Sequence, residues 1–247
     1  MKNCLNLILL LGFYVLGFSQ DYPVKFLDIS NGLSNNSVTT LFQDSEGYMW
    51  FGTYDGLNRY DSYNFKVFRS KFNDGKALAF NTIYDIEGDS RQNIWVGGSK
   101  GVSVFNKTTA TFHSVEFIDG NNTSRVLKDI IHQIKQLSNG TILVASQNSG
   151  LLIFENGSFI GKQVKLQVKN RSHLLNKYDA IAIQDDKKKA SCWVFVKDQG
   201  ICNFDYKTKK MEVVFPLSIA VKAIALSSDG NLWLGTEEGL FLFKIKF

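Results

Sequence analysis

Three histidines, three cysteines and a few charged clusters are the residues of this 247-residue chain with the chemistry for catalysis or metal binding. His113, His132 and His173 have neither i,i+4 spacing nor the nearby cysteine or carboxylate partners that a zinc site uses. No G-x-S-x-G turn presents a serine nucleophile, and no glycine-rich loop has the phosphate-binding form. Glu237 and Glu238 are neighbouring carboxylates on a turn, an arrangement that more often makes a solvated tip than an acid/base pair. The basic run Lys187, Lys188 and Lys189 also falls at a turn, and the formal net charge of +5 is spread thinly. A nucleic-acid partner would need a basic stripe with interleaved aromatics, which is absent. The chain is therefore expected to bind rather than catalyse, with no catalytic residue, metal or cofactor.

The cysteines point the same way. Cys4 precedes an apolar run, a poor position for lipoprotein-type cleavage. Cys192 and Cys202 flank a turn, and centring that turn on Asp198 and Gln199 places Cys192 opposite about position 205. On this register the thiols point to opposite faces, roughly 10 Å apart along the ladder, too far for a disulfide. Two buried, apolar thiols are expected.

The elements that must position any binding residue come from a repeat. Residues 44–60 read D-S-E-G-Y-M-W-F-G-T-Y-D-G-L-N-R-Y, and clear copies follow at 89–105 and 227–243. Degraded copies lie at 138–154 and 190–204. The unit centres Trp50, Trp95, Leu143, Trp193 and Trp233 are separated by 45, 48, 50 and 40 residues. A period of about 40 to 50 residues suits one four-stranded propeller blade. Each unit has an apolar run, a polar turn, the Trp-centred run, a second turn ending in Gly and a further apolar run. Weaker fourth strands are expected at 65–68, 111–117, 158–163 and 211–215. Gly47, Gly140 and Gly230 suit the first turn, and Asn93 is expected to take the left-handed role in the second unit. Because the Trp strands are apolar on both faces, neighbouring blades must cover them, and all four tryptophans are expected in the core. The fold class is thus all-β, a propeller of about five WD-like four-stranded blades over residues 20–247.

Residues 1–19 carry Lys2, the apolar stretch 5–16, and small residues Gly17 and Ser19 before a cut, the pattern of a signal peptide. No other segment is apolar enough to span a membrane, so an exported, periplasmic location is expected. Apolar content of 44% and aromatic content of 13% argue for an ordered domain. Residues 22–29 resemble a strand that would complete the last blade, which lacks its own fourth strand, and so close a five-bladed ring. An unclosed part of a larger propeller fits the sequence as well.

The run N-G-L-S-N-N-S-V-T-T-L-F-Q-D-S-E-G-Y-M-W-F-G-T-Y-D-G-L-N-R-Y-D-S-Y-N-F-K-V-F at 31–68 resembles the opening of the two-component regulator propeller family. The resemblance is close in units one, two and five and looser in three and four, where Leu143 replaces Trp and Phe195 replaces a small residue. It implies a periplasmic sensor region of a hybrid histidine kinase, responsive to oligosaccharide, in which the kinase belongs to modules other than the propeller. A protein-interaction or adhesion propeller is the alternative reading. In either case the ligand is expected at the rim formed by the second turns, through Tyr54, Asp55, Lys100, Asn148, Asp198 and Glu238. Residues 31–37 and 121–125 belong to the same rim.

Overall fold

A computed structural model of the chain describes residues 24–168 and 174–245. The signal segment 1–19, Cys4 and His173 lie outside the described residues. Five antiparallel-built sheets follow one another along the chain. The first consists of β1 (Val38–Gln43), β2 (Met49–Thr53), β3 (Gly56–Tyr60) and β4 (Phe65–Phe68) in sequential order. The second repeats it with β5 (Ile83–Gly88), β6 (Ile94–Gly98), β7 (Gly101–Asn106) and β8 (Thr111–Ser114).

The third blade gains two outer strands from the chain that leads into it. Here β9 (Glu116–Ile118) and β10 (Ser124–Val126) precede β11 (Ile131–Gln136), β12 (Ile142–Ser146), β13 (Gly150–Phe154) and β14 (Ile160–Gln163), and β9 pairs parallel to β14. The strand expected at 111–117 therefore divides. Val115, fully buried, turns the chain inward, and Phe117 belongs to the next sheet. The fourth blade repeats the device: β15 (Leu166–Gln167) lies parallel to β19 (Met211–Phe215), outside β16 (Ala180–Asp186), β17 (Ser191–Val196) and β18 (Gly200–Asp205). Among the described residues the fifth has β20 (Val221–Leu226), β21 (Leu232–Thr236) and β22 (Gly239–Phe243).

The core consists of four layers, one between each pair of successive blades, because no small sheet can cover its own two faces. Trp50 and Trp95 point forward onto the next blade, and each indole N–H donates to the aspartate that opens its own repeat: Trp50 Nε1 to Asp44 at 2.8 Å and Trp95 Nε1 to Asp89 at 2.9 Å. The same carboxylates accept backbone N–H groups of the first turn, so one residue fixes both the turn and the ring. Burial raises the Asp44 carboxyl, but hydrogen bonds from Lys107 and Trp50 and the Lys107 charge outweigh it and hold the group below its ordinary value. Small and large residues alternate across the layers. Gly52 receives Ile83 and Gly97 receives Ile131, whereas bulky Phe195 shares its layer with the smaller Val221.

Several expectations are corrected. Gln92, at φ 65°, takes the left-handed turn position, while Asn93 is buried and donates to Asp89. The fourth hairpin has a three-residue tip, pairing Val196 with Gly200, which moves the register by one. Cys192 then lies opposite Phe204 and Cys202 opposite Val194, so the thiols share a face, two positions apart. Both are free and buried in one apolar cluster, and burial pushes the Cys202 thiol up to about 12. Trp233 is 38% exposed rather than core, since no blade among the described residues covers it. Residues 24–28 form no strand, with Phe26 86% exposed, so they do not complete the last blade. No strand pairing joins blade five to blade one among the described residues, and the five blades form an open arc.

Candidate binding rim

The inner strands β1, β5, β11, β16 and β20 face the axis, and their polar side chains are largely spent on holding blades together. Asp85 accepts the N–H of Ile134 in the next blade at 2.6 Å, and Gln133 accepts that of Ile183 in the blade after at 2.6 Å. Such bonds satisfy N–H groups at each sheet's inner edge. Burial pushes the Asp85 carboxyl up to about 6, against the N–H groups of Ile134 and Ile86 and with the nearby Glu87 charge adding to the rise. His132, half-buried on β11, is depressed by burial, with Asp179 opposing the shift. His113 instead stacks on Phe159 on the outer side.

All six rim residues expected from the sequence lie at second-turn tips, but the structure does not bring them together. Tyr54 is exposed, and Asp55 is held by Arg69 at 3.0 Å. Lys100 and Glu238 are exposed and line none of the clefts described below. Asn148 and Asp198 occupy the extra position of the two three-residue tips, at φ 63° and 61°, which explains their residue types without any ligand. Asp198 borders a shallow depression with Pro216, Leu217 and Ser218.

Asn148 alone of the six enters a substantial cleft, of about 470 Å³, between the tip of blade three and the β9–β10 hairpin. Asp119 organises the hairpin side: it accepts the N–H groups of Asn121 and Thr123 and binds Arg125 Nε at 2.7 Å. The Thr123 N–H and Arg125, against a small opposing effect of burial, hold its carboxyl below the ordinary value. On the opposite wall Asp129 accepts the Ser149 N–H at 3.0 Å, and Asp179 accepts that of Asn148 at 2.9 Å. Gln163 forms the floor, accepting the Gly120 N–H and donating to the carbonyls of Ser149 and Asn176. Among the described residues Oδ1 of Asn176 is buried without a hydrogen-bond partner, and Lys128 and Lys177 complete the lining. The cleft thus offers amide, guanidinium, ammonium and carboxylate groups in a fixed frame.

Sequence reading placed Asn148 and residues 121–125 on this rim but missed Gln163, Asn176 and Lys177. Gln163 ends β14 of blade three, whereas Asn176 and Lys177 lie in the chain between blades three and four, outside the repeat. The one sequence signal of Asn176 and Lys177 is position, immediately before an inner strand, as 31–37 stand before β1.

Comparison with known proteins agrees with this architecture. The extracellular domain of BT4673 from B. thetaiotaomicron, a putative hybrid two component system, superposes with a TM-score of 0.67 at 20% identity, over 92% of this chain and 32% of that one. Another structure of the BT4673 extracellular domain, described as a putative one component system, gives 0.67 at 19% identity, over 91% and 32%. At these identities the likeness is one of fold. Histidine kinase P4 of Formosa agariphila is 34% identical over 61 residues, 25% of this chain and 4% of the kinase. The chain therefore spans about a third of the length of these solved structures and a small fraction of the kinase. The sequence model described as Two component regulator propeller matches residues 32–55 and 216–238, one stretch in the first repeat and one in the last. The stretches that match this family's model thus lie in the first and the last of the five blades.

Proposed function

We propose that this protein is an exported sensor propeller that takes a hydroxyl-rich ligand, an oligosaccharide, in the cleft between the β9–β10 hairpin and the tip of blade three. The observation that carries the reading is a pre-formed concavity lined by Asn121, Arg125, Asn148, Asn176 and Lys177. Sugar hydroxyls both donate and accept, which suits side-chain amides flanked by fixed charges. The fold likeness to the extracellular domain of a hybrid two component system supports a receptor role.

The test is calorimetric titration with a panel of neutral and acidic oligosaccharides. An Asn176→Ala variant is expected to weaken binding about tenfold, the equivalent of roughly 1.4 kcal/mol, and Arg125→Ala to affect acidic sugars most. Binding unchanged in both variants would remove the cleft from consideration. A second reading, docking of a protein, draws on a different observation: Trp233, Leu240 and Leu242 form an exposed apolar surface on blade five.

A further inference from the structure

The lysine run 187–189 falls in the first turn of blade four, between β16 and β17. In the other blades that turn is built by side-chain acceptors. Asp44 and Asp89 each accept two turn N–H groups, Asn139 accepts that of Thr141, and Ser227 accepts that of Asn231. Blade four closes its turn through the backbone: the Lys189 N–H donates to the Asp186 carbonyl at 3.0 Å, and Ala190 takes the left-handed position at φ 50°. A lysine side chain has no acceptor, and none of the three has a positive φ, so turn geometry does not account for three in succession.

Around this turn lies a concavity of about 780 Å³, on the rim opposite the cleft. Its walls are the ends of β11, β16 and β20 with the first turns of three consecutive blades, three to five. Lys188 Nζ reaches the Ser228 carbonyl at 3.2 Å and ties the turns of blades four and five together. Lys135, on the blade-three wall, pairs with Glu87 at 3.5 Å and stays partly exposed. Four ammonium groups thus border the concavity. The two carboxylates in its lining, Asp185 and Asp186, are buried, and Asp185 accepts the Tyr206 hydroxyl. Exposed cations above buried anions present a basic face to an incoming ligand. Between the lysines stand the amides of Gln136 and Gln184 and the hydroxyls of Ser138 and Ser227.

We infer that this concavity is a second binding site, which takes the anionic group of an acidic polysaccharide. Its carboxylate or sulfate lies among the four lysines, and ring hydroxyls bond to the amides and serines between them. A lipid membrane is also anionic, but it is flat, and lysines bordering a concavity do not all lie against a flat surface. The inference does not rest on the cleft, with which this site shares no lining residue among those described. Because the charge is read by exposed ammonium groups, affinity falls as salt rises.

The experiment titrates the protein calorimetrically with polygalacturonate, dextran sulfate and uncharged dextran. Both acidic polymers are expected to bind and dextran is not, with affinity weakening about tenfold or more between roughly 0.05 M and 0.5 M sodium chloride. The variant Lys187→Gln/Lys188→Gln/Lys189→Gln should lose about tenfold or more with thermal unfolding unchanged, while the matching triple arginine variant stays close to the parent. Lys135→Gln, on the facing wall, gives an independent reading of about threefold. Equal binding of dextran, or full affinity in both glutamine variants, would overturn the inference. Loss in Arg125→Ala with none in the glutamine variants would overturn it too, by placing the polymer in the cleft. So would binding to vesicles of anionic phospholipid without binding to either polymer. Failure of the cleft alone has a different signature: Arg125→Ala and Asn176→Ala without effect, while the triple glutamine variant still loses the acidic polymers.

Discussion

Asp85→Asn tests how the blades are stitched at the axis. The Asp85 carboxylate is buried between β5 and β11, and its ionisation in the folded protein is moved up to about 6 from an ordinary 3.8. A carboxyl whose folded value lies above its unfolded one binds more protons in the folded state, so stability is greatest below about pH 4 and falls as pH rises through that interval. A gap of about two pH units corresponds to roughly 3 kcal/mol. Water reaches one side of the group, so about half that figure is expected. An asparagine keeps an acceptor for the Ile134 N–H and carries no charge, so it removes this slope. Urea unfolding followed by tryptophan fluorescence at pH 4, 5, 6 and 7 gives the difference between variant and parent. The variant should gain about 1–2 kcal/mol on the parent between pH 4 and 7. Parallel profiles, with a constant difference at every pH, would refute a buried ionisation at Asp85.

Two further outcomes follow from the blade layers. Gly97→Val should destabilise by about 2 kcal/mol or more, because its Cβ would lie 2.6 Å from Ile131 Cγ2, whereas Gly235→Val should stay within roughly 0.5 kcal/mol; thermal unfolding of both variants separates them. Asp89→Ala strands the Trp95 indole N–H and two turn N–H groups and should cost about 2–4 kcal/mol, with Asp89→Asn milder, as read by the urea midpoint.

The Trp-x-Gly spacing made the blades legible because each motif carries its own physical reason: a large ring to cover the neighbour and a gap to admit its inner strand. The tethering aspartates Asp44 and Asp89 were visible in the same copies, although their bonds to the indoles were not. What local pattern could not supply was anything fixed by a distant partner. Glu116–Ile118 is placed in the third sheet by its parallel pairing with β14, beside its hairpin partner β10, and Leu166–Gln167 in the fourth by its parallel pairing with β19. One extra residue in the tip containing Asp198 was enough to place the two thiols on one face instead of two. Trp233 has the sequence of a core tryptophan, and only the position of its blade at the end of the arc exposes it. The cleft was half legible for the same reason: Asn148 sits in a repeat and Gln163 at the end of an expected fourth strand, while Asn176 and Lys177 sit in a connection with no pattern of its own.

The parallel outer strands give the arc a mechanical grain. The chain leaving blade two is hydrogen-bonded to the rim of blade three before it enters that blade, and the chain leaving blade three is clamped in the same way onto blade four. Prising blades two, three and four apart therefore means peeling a strand as well as parting an apolar layer. Among the described residues blade five has no such clasp and three strands. Under tension along the chain it should be the first to come away, leaving a strapped unit of blades two to four that still contains the cleft.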